Sequence, residues 1–413
     1  MDLLDLASRQ RWSSLAARAV SHPEEIRLSD PSGLTPLHWC CFNRPPLSVI
    51  RAMLDNSPND EINDEDHNLL PPLVCLADVH GTTPLHAACS SHASPEVIQA
   101  LVDSHPPSIL IQDEMGWTAL HYLTGTAFAS LSFSEAEGRD AIASVRMLIE
   151  RETQCVECVD REGQTPIALL CEVMGSHHDP GWQFIRRRVR SNVQNDGDAA
   201  GQAAATISNL TLQQEDAAEA TFWSLANILV EAMYHNWCSQ QSISHRDLDH
   251  MPPYLHQMCV LFVPGDLIRY ALARHPEQAR MSCDVGKWKC QLPLHLVSRL
   301  TKHNSSIWNI IEANRKAAQI RDGDGMLPLQ LALKAQRSWE NGTGDILIAY
   351  PEALGTLQDL SCSMYHFILH RAMKSQVKGQ QVQTVFRILR SRPDLVHQQP
   401  EVTPKGNQTN NRS

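Results

Sequence analysis

The chain has 413 residues, 42% of them apolar and 6% aromatic, and a formal net charge of −11. An acidic balance without a basic stripe excludes a broad nucleic-acid surface, and no apolar run approaches the ~20 residues of a membrane-spanning helix. Met1-Asp2-Leu3-Leu4-Asp5 carries acid where a secretory leader carries base. The twelve cysteines are therefore expected as reduced thiols in a cytoplasmic or nuclear protein.

In chain order, residues 2–21 read as a helix pair with Trp12, Leu15 and Ala19 at helical spacing. A compound motif then recurs. Asp30/Gly33 precedes Thr35-Pro36-Leu37-His38, and Asp78/Gly81 precedes Thr83-Pro84-Leu85-His86. Asp113/Gly116 precedes Thr118-Ala119-Leu120-His121, and Asp160/Gly163 precedes Thr165-Pro166-Ile167-Ala168. Asp322/Gly325 precedes Leu327-Pro328-Leu329-Gln330, and Leu292-Pro293-Leu294-His295 repeats the box without the Asp–Gly turn. The steps from His86 to His121 and from His295 to Gln330 are both 35 residues, so the motif marks a repeat.

Each position has a physical role. Asp and Gly three apart suit a type I turn, with the carboxylate accepting from nearby backbone N–H groups. Thr is expected as a helix N-cap whose hydroxyl satisfies an orphan amide. Pro fits the first helical position, where an N–H is not needed, and Leu points inward. A second marker sits at the far end of each unit: His22-Pro23, His105-Pro106, His275-Pro276, Tyr350-Pro351 and Arg392-Pro393 read as helix stops.

Cys41, Cys89 and Cys171 lie three residues after the box's fourth position, and Cys259 lies three after His256. This reveals a degraded box, Pro253-Tyr254-Leu255-His256, with Leu267, Ile268, Ala271 and Leu272 on its second helix at about 252–284. The preceding unit takes its second helix from 218–236, where Phe222, Leu225, Ile228, Leu229 and Met233 are helically spaced. Between them, 176–214 reads as a disordered insertion; shorter insertions fall at 56–76 and 127–139. Residues 363–374 and 380–391 read as an eroded last helix pair, and 396–413 as a disordered polar tail.

The Thr-Pro-Leu-His box preceded by Asp-x-x-Gly resembles the ankyrin repeat. The resemblance implies an all-α, ankyrin-type helical solenoid of stacked helix-turn-helix repeats with hairpin or turn loops. It divides the chain into N-terminal capping helices (1–29), repeats (30–175), an insertion (176–214), divergent repeats with a C-terminal cap (215–395) and a tail (396–413). About eight repeats plus the N-terminal cap are expected. His38, His86, His121 and His295 would tie neighbouring repeats together through backbone hydrogen bonds. The implied function is non-catalytic protein–protein interaction by a monomeric scaffold or adaptor without cofactor, nucleic acid or membrane. Its partner-binding residues would be the turn tips: Pro31, Ser32, Val79, His80, Glu114, Met115, Arg161, Glu162, Gly323 and Asp324. Trp117 and Trp288, beside the turns, are candidate anchors, with burial the expected state.

Other chemistry is weakly signalled. Cys155-Val156-Glu157-Cys158 has the spacing of half a zinc site, with Cys171, His177 and His178 nearest, and supports an alternative zinc- or thiol-redox-responsive module. Cysteines equivalent across repeats fit packing better than catalysis. Asp322-Gly323-Asp324-Gly325 lacks the further oxygen ligands of a calcium loop. No phosphate loop or nucleophile elbow occurs. Arg186-Arg187-Arg188-Val189-Arg190 is the one dense basic run, fitting nuclear import or a solvated helix end.

Overall fold

Pro36, Pro84, Pro166, Pro293 and Pro328 each stand as the first residue of an α-helix, where fixed φ favours the helix and no donor is lost. The computed structural model describes residues 1–57, 71–126, 135–177, 199–241, 251–261, 263–285, 288–300 and 306–357, with isolated positions between 366 and 393. It divides into two units, 1–241 and 242–413.

In the first unit the described helices are α1 (Leu3–Ser8), α2 (Trp12–Ser21), α3 (Pro36–Phe42), α4 (Leu47–Asp55), α5 (Pro84–Ser90), α6 (Pro95–Ser104), α7 (Ala119–Thr126), α8 (Glu135–Arg151), α9 (Pro166–His177) and α10 (Ala199–Gln240). Odd-numbered helices pack successively in one layer, and even-numbered helices in a second. The second unit repeats the scheme with α11 (Tyr254–Val260), α12 (Gly265–Arg274), α13 (Pro293–Arg299), α14 (Ser306–Ala313), α15 (Pro328–Lys334) and α16 (Gly344–Ala349). Its strands β1 (Cys283–Val285) and β2 (Trp288–Gln291) form an antiparallel hairpin where the Asp–Gly turn is missing. The fold is an all-α helical repeat.

The core follows the sequence stripes. The box residues Leu37, Leu85, Leu120, Ile167 and Leu294 are fully buried. So are Val97, Ile98, Leu101 and Val102 on α6, spaced to face one side of a helix. Burying one such side chain is worth about 1.5–3 kcal/mol. Cys41, Cys89 and Cys259 are fully buried, and burial pushes their thiols up. Packing accounts for them.

The helix stops have one geometry. His22, His105, His275 and Tyr350 end their helices in a partly extended conformation, and the proline opens a 3-10 turn. A residue before proline is driven out of the helical region. Glu152 and Asn314 adopt the same conformation without a following proline, so proline reinforces this exit without creating it.

Of the stretch 176–214, α9 extends to His177 and α10 begins at Ala199. Ala199, Ala200, Ala203, Ala204 and Ala205 explain the early start, since alanine loses least on entering a helix. The second helix expected at 218–236 is the distal half of this 42-residue helix, which packs on α8 through its unit's core. The division between units falls at 241/242. Residues 58–70, 127–134, 178–198 (with Arg186–Arg190 and His178) and 394–413 lie outside the described residues, as does most of the eroded last helix pair.

Candidate partner-binding surface

All five Asp-x-x-Gly sequences make one loop. The Asp carboxylate accepts from the backbone N–H groups two and four residues on; for Asp113 these are Met115 and Trp117, both at 2.8 Å. Asp30, Asp78, Asp160 and Asp322 repeat the pair within 2.8–3.0 Å. Each Gly donates to its Asp carbonyl and takes φ between 76° and 81°, a left-handed bulge after a type I turn.

The tips are laced together. The Val79 amide donates to the Ser32 carbonyl (3.0 Å), Glu114 to His80 (2.9 Å) and Arg161 to Met115 (3.0 Å). Four turns of the first unit thus form one continuous backbone ladder. Pro31, Ser32, Val79, His80, Glu114, Met115, Arg161 and Glu162 are all exposed along it. Val79 and Met115, each 57% exposed, give it apolar points, and His80 approaches Glu114 at 3.5 Å. Gly323 and Asp324 belong to the second unit, where the Gly323 amide donates to the Lys289 carbonyl of the hairpin (2.9 Å). A Cβ on Gly323 would lie 2.6 Å from that of Lys289, so only glycine fits.

Behind the tips, the box histidines join neighbours as expected. Nε2–H of His38, His86, His121 and His295 donates to the carbonyls of Thr82 (3.0 Å), Ile111 (3.0 Å), Gln164 (3.3 Å) and Ile320 (2.9 Å). That fixes Nδ1 as an acceptor, taking the N–H of Thr35, Thr83, Thr118 and Leu292. The Thr hydroxyls lie 2.8–3.2 Å from the same nitrogen and donate to it. The expected N-cap role of Thr is also present: Thr83 Oγ1 accepts the His86 backbone N–H at 3.5 Å, and Thr35 forms the same reciprocal capping box with His38. Burial lowers the pKa of each of these histidines, that of His86 to about 4. All stay neutral connectors. Gln330 performs the same double contact, accepting from Leu327 N and donating to the Thr356 carbonyl.

Two features escaped the sequence reading. The second carboxylate oxygen of the turn Asp is often claimed by an aromatic donor: Trp39 on Asp30 (3.1 Å), Tyr122 on Asp113 (2.7 Å) and Trp117 on Asp160 (3.2 Å). In the second unit Arg299 takes Asp322 instead and stacks on Trp288. The His38-Trp39 and His121-Tyr122 pairs were the available signal. At the opposite helix ends, Gln10, Arg44, His92 and Gln336 adopt left-handed φ of 50–56° in turns between paired helices. Three of them reach the next repeat: Gln10 to the Asn43 side chain, Arg44 to the Ser91 carbonyl and His92 to the Thr126 carbonyl. A second ladder therefore fastens the other edge.

Trp117 and Trp288 are both half-buried, with their indoles engaged in the stack. Trp117 meets Tyr122 edge-on, ring centroids 5.2 Å apart. It also walls an open cleft of about 380 Å³ lined by Met115, Trp117, Gly125, Asp160, Glu162, Gln164, Leu169 and Glu172.

Cys155 is buried and its thiol is pushed up to about 12, while half-buried Cys158 is also raised. Both environments disfavour the thiolate that metal binding or disulfide exchange requires. Among the described residues no group of three or more His, Cys, Asp or Glu side chains is disposed to hold a metal ion, and no helix is long and apolar enough to cross a membrane.

An ankyrin repeat family model matches residues 80–114. No curated protein matches the chain. The matched residues run from the second tip through α5, α6 and the 3-10 turn Pro106–Leu110 to the third tip. The turn, the box and the stacked helix pair seen there recur before and after it, down to the bond from Nε2–H to a carbonyl of the next repeat. Residues 80–114 thus form an ankyrin repeat, and the neighbouring units are similar to it.

Proposed function

We propose that the chain is a non-catalytic protein-binding scaffold or adaptor whose partner lies along the tip ladder of the first unit. Ankyrin repeats generally mediate protein–protein interaction, which supports the class. The observation that carries the location is the ladder itself: eight exposed tip residues of differing size and charge are held in one backbone register. A preordered surface loses little conformational entropy on binding, and two apolar points among polar neighbours suit a specific interface. We place Gly323 and Asp324 in a second, smaller tip surface. A monomeric chain acting in the cytoplasm or nucleus completes the proposal.

The test is affinity capture from extract of the source cell by the full chain and by a variant carrying Val79→Ser, His80→Ala, Glu114→Ala and Met115→Ser. These positions are exposed, so folding should persist, which circular dichroism checks. A stoichiometric partner lost with the variant is expected. A partner retained by the variant would remove the tip assignment. The alternative zinc- or redox-responsive reading gains no support from the raised Cys155 and Cys158 thiols.

A further inference from the structure

The cleft beside Trp117 differs in chemistry from the rest of the tip ladder. Its walls are Trp117, Met115 and Leu169, and its polar groups include three carboxylates, Asp160, Glu162 and Glu172, with no basic side chain among the lining residues. The carboxylates are not equivalent. Asp160 is internally committed: Oδ1 accepts from the Glu162 and Gln164 amides, and Oδ2 accepts from Trp117 Nε1. It therefore holds the indole in place. Glu162 and Glu172 are exposed on the rim.

The indole is fixed from three sides, by Asp160, by edge-on Tyr122 and by the backbone of Gly125. A Cβ built on Gly125 would lie 3.4 Å from the Trp117 ring. An ordered aromatic wall in a cleft that carboxylates also line attracts a cation by its ring quadrupole and by charge. Guanidinium suits this better than ammonium because it is planar, weakly hydrated and able to stack while donating bidentately to carboxylates. A volume of about 380 Å³ exceeds one side chain, so backbone and a neighbouring residue enter with it.

We infer that this cleft is the anchor site for an arginine side chain presented by a basic segment of the partner protein. The inference deepens the protein-binding reading and rests on it. Met115 and Glu162 connect the cleft to the ladder, since both are tip residues. The partner's chain would then run along the tips with its arginine inserted between the third and fourth turns.

The probe is a short Gly/Ser peptide carrying Gly-Arg-Gly-Ser-Arg-Gly, titrated into the full chain. The readouts are calorimetry and the indole N–H resonance of Trp117, assigned with Trp117→Phe. Matched peptides replace arginine by lysine or by neutral citrulline. We expect saturable binding with a shifted Trp117 resonance, weaker binding of the lysine peptide and none of citrulline. Glu162→Gln combined with Glu172→Gln should weaken binding about tenfold or more. Equal binding of the citrulline peptide, unchanged binding by the double variant, or no saturation at millimolar peptide would each overturn the assignment. Equal binding of the lysine peptide would overturn the choice of guanidinium. If the peptides fail while the tip variant still loses a captured partner, the cleft assignment alone falls. If the unaltered chain captures no partner, the protein-binding reading falls.

Discussion

The third tip of the first unit and the β1–β2 hairpin of the second do the same job with different residues. At the third tip, Asp113 collects the amides of Met115 and Trp117, and Gly116 supplies the left-handed residue. In the hairpin, Asp284 accepts from Cys290 N at 2.9 Å, and Cys290 itself takes φ of 49°. Both loops offer a carbonyl, Met115 or Lys289, to the amide of the next turn. The array therefore requires the tip-to-tip hydrogen bond, while the motif that builds the loop can be replaced. The boxes differ in the same manner. His86 has both ring nitrogens satisfied, whereas His256 Nδ1 is buried without a partner because Pro253, at the Thr position, has no N–H to give.

Acid should sharpen the contrast most. Burial holds His86 and His256 at about 4 and lowers His38, His121 and His295. With depressed folded-state pKa values, their contribution is complete above the unfolded value near 6.5 and is lost as pH falls toward 4. His86 and His256 would each account for roughly 3 kcal/mol over that window. Urea midpoints measured from pH 7 to 4.5 should fall steadily; a flat profile would remove the neutral-connector role.

Glycine substitutions come next. Among the Asp-x-x-Gly turns, Gly116 combines positive φ with the closest approach, since a Cβ there would lie 2.9 Å from Arg161 N. Gly163 has the same φ with open space around it. Gly116→Val should cost about 2–4 kcal/mol, strain and steric conflict together, and Gly163→Val about 1–2 kcal/mol from strain alone. Equal shifts in denaturation midpoint would mean that the ladder contact adds nothing.

Replacing the connector is gentler. His86→Gln should cost about 1 kcal/mol, because Gln330 shows that an amide can make both bonds, while His86→Ala should cost about 2–4 kcal/mol. Smallest is a gain. Pro253→Thr would give His256 Nδ1 its missing donor and should stabilise the second unit by about 1 kcal/mol. A thermal midpoint no higher than that of the unaltered chain would contradict the account of the eroded box.

Legibility followed chemical uniqueness. Asp at the turn start, Gly in the left-handed position and Pro opening a helix have few substitutes, so those loops and helix starts could be read from single residues. His256 could be placed from Cys259 because a tight core position recurs at fixed spacing. Trp39, Trp117 and Tyr122 on turn carboxylates could not, since an aromatic at a helix start reads first as core. Gln10, Arg44 and His92 were invisible for the opposite reason: left-handed turns usually announce themselves by glycine or asparagine. The hairpin at 283–291 hid because Asp284 binds an amide six residues on and Cys290 takes the left-handed position that glycine marks in the other turns.

Hydrogen exchange on the full chain, with and without a captured partner, addresses the central claim most directly. New protection should concentrate at 31–32, 79–80, 114–115 and 161–162 and along the adjoining starts of α3, α5, α7 and α9, leaving α4, α6 and α8 unchanged. Protection confined to α4, α6 and α8, or the absence of any change at the tips, would contradict the assignment of the ladder as the binding surface.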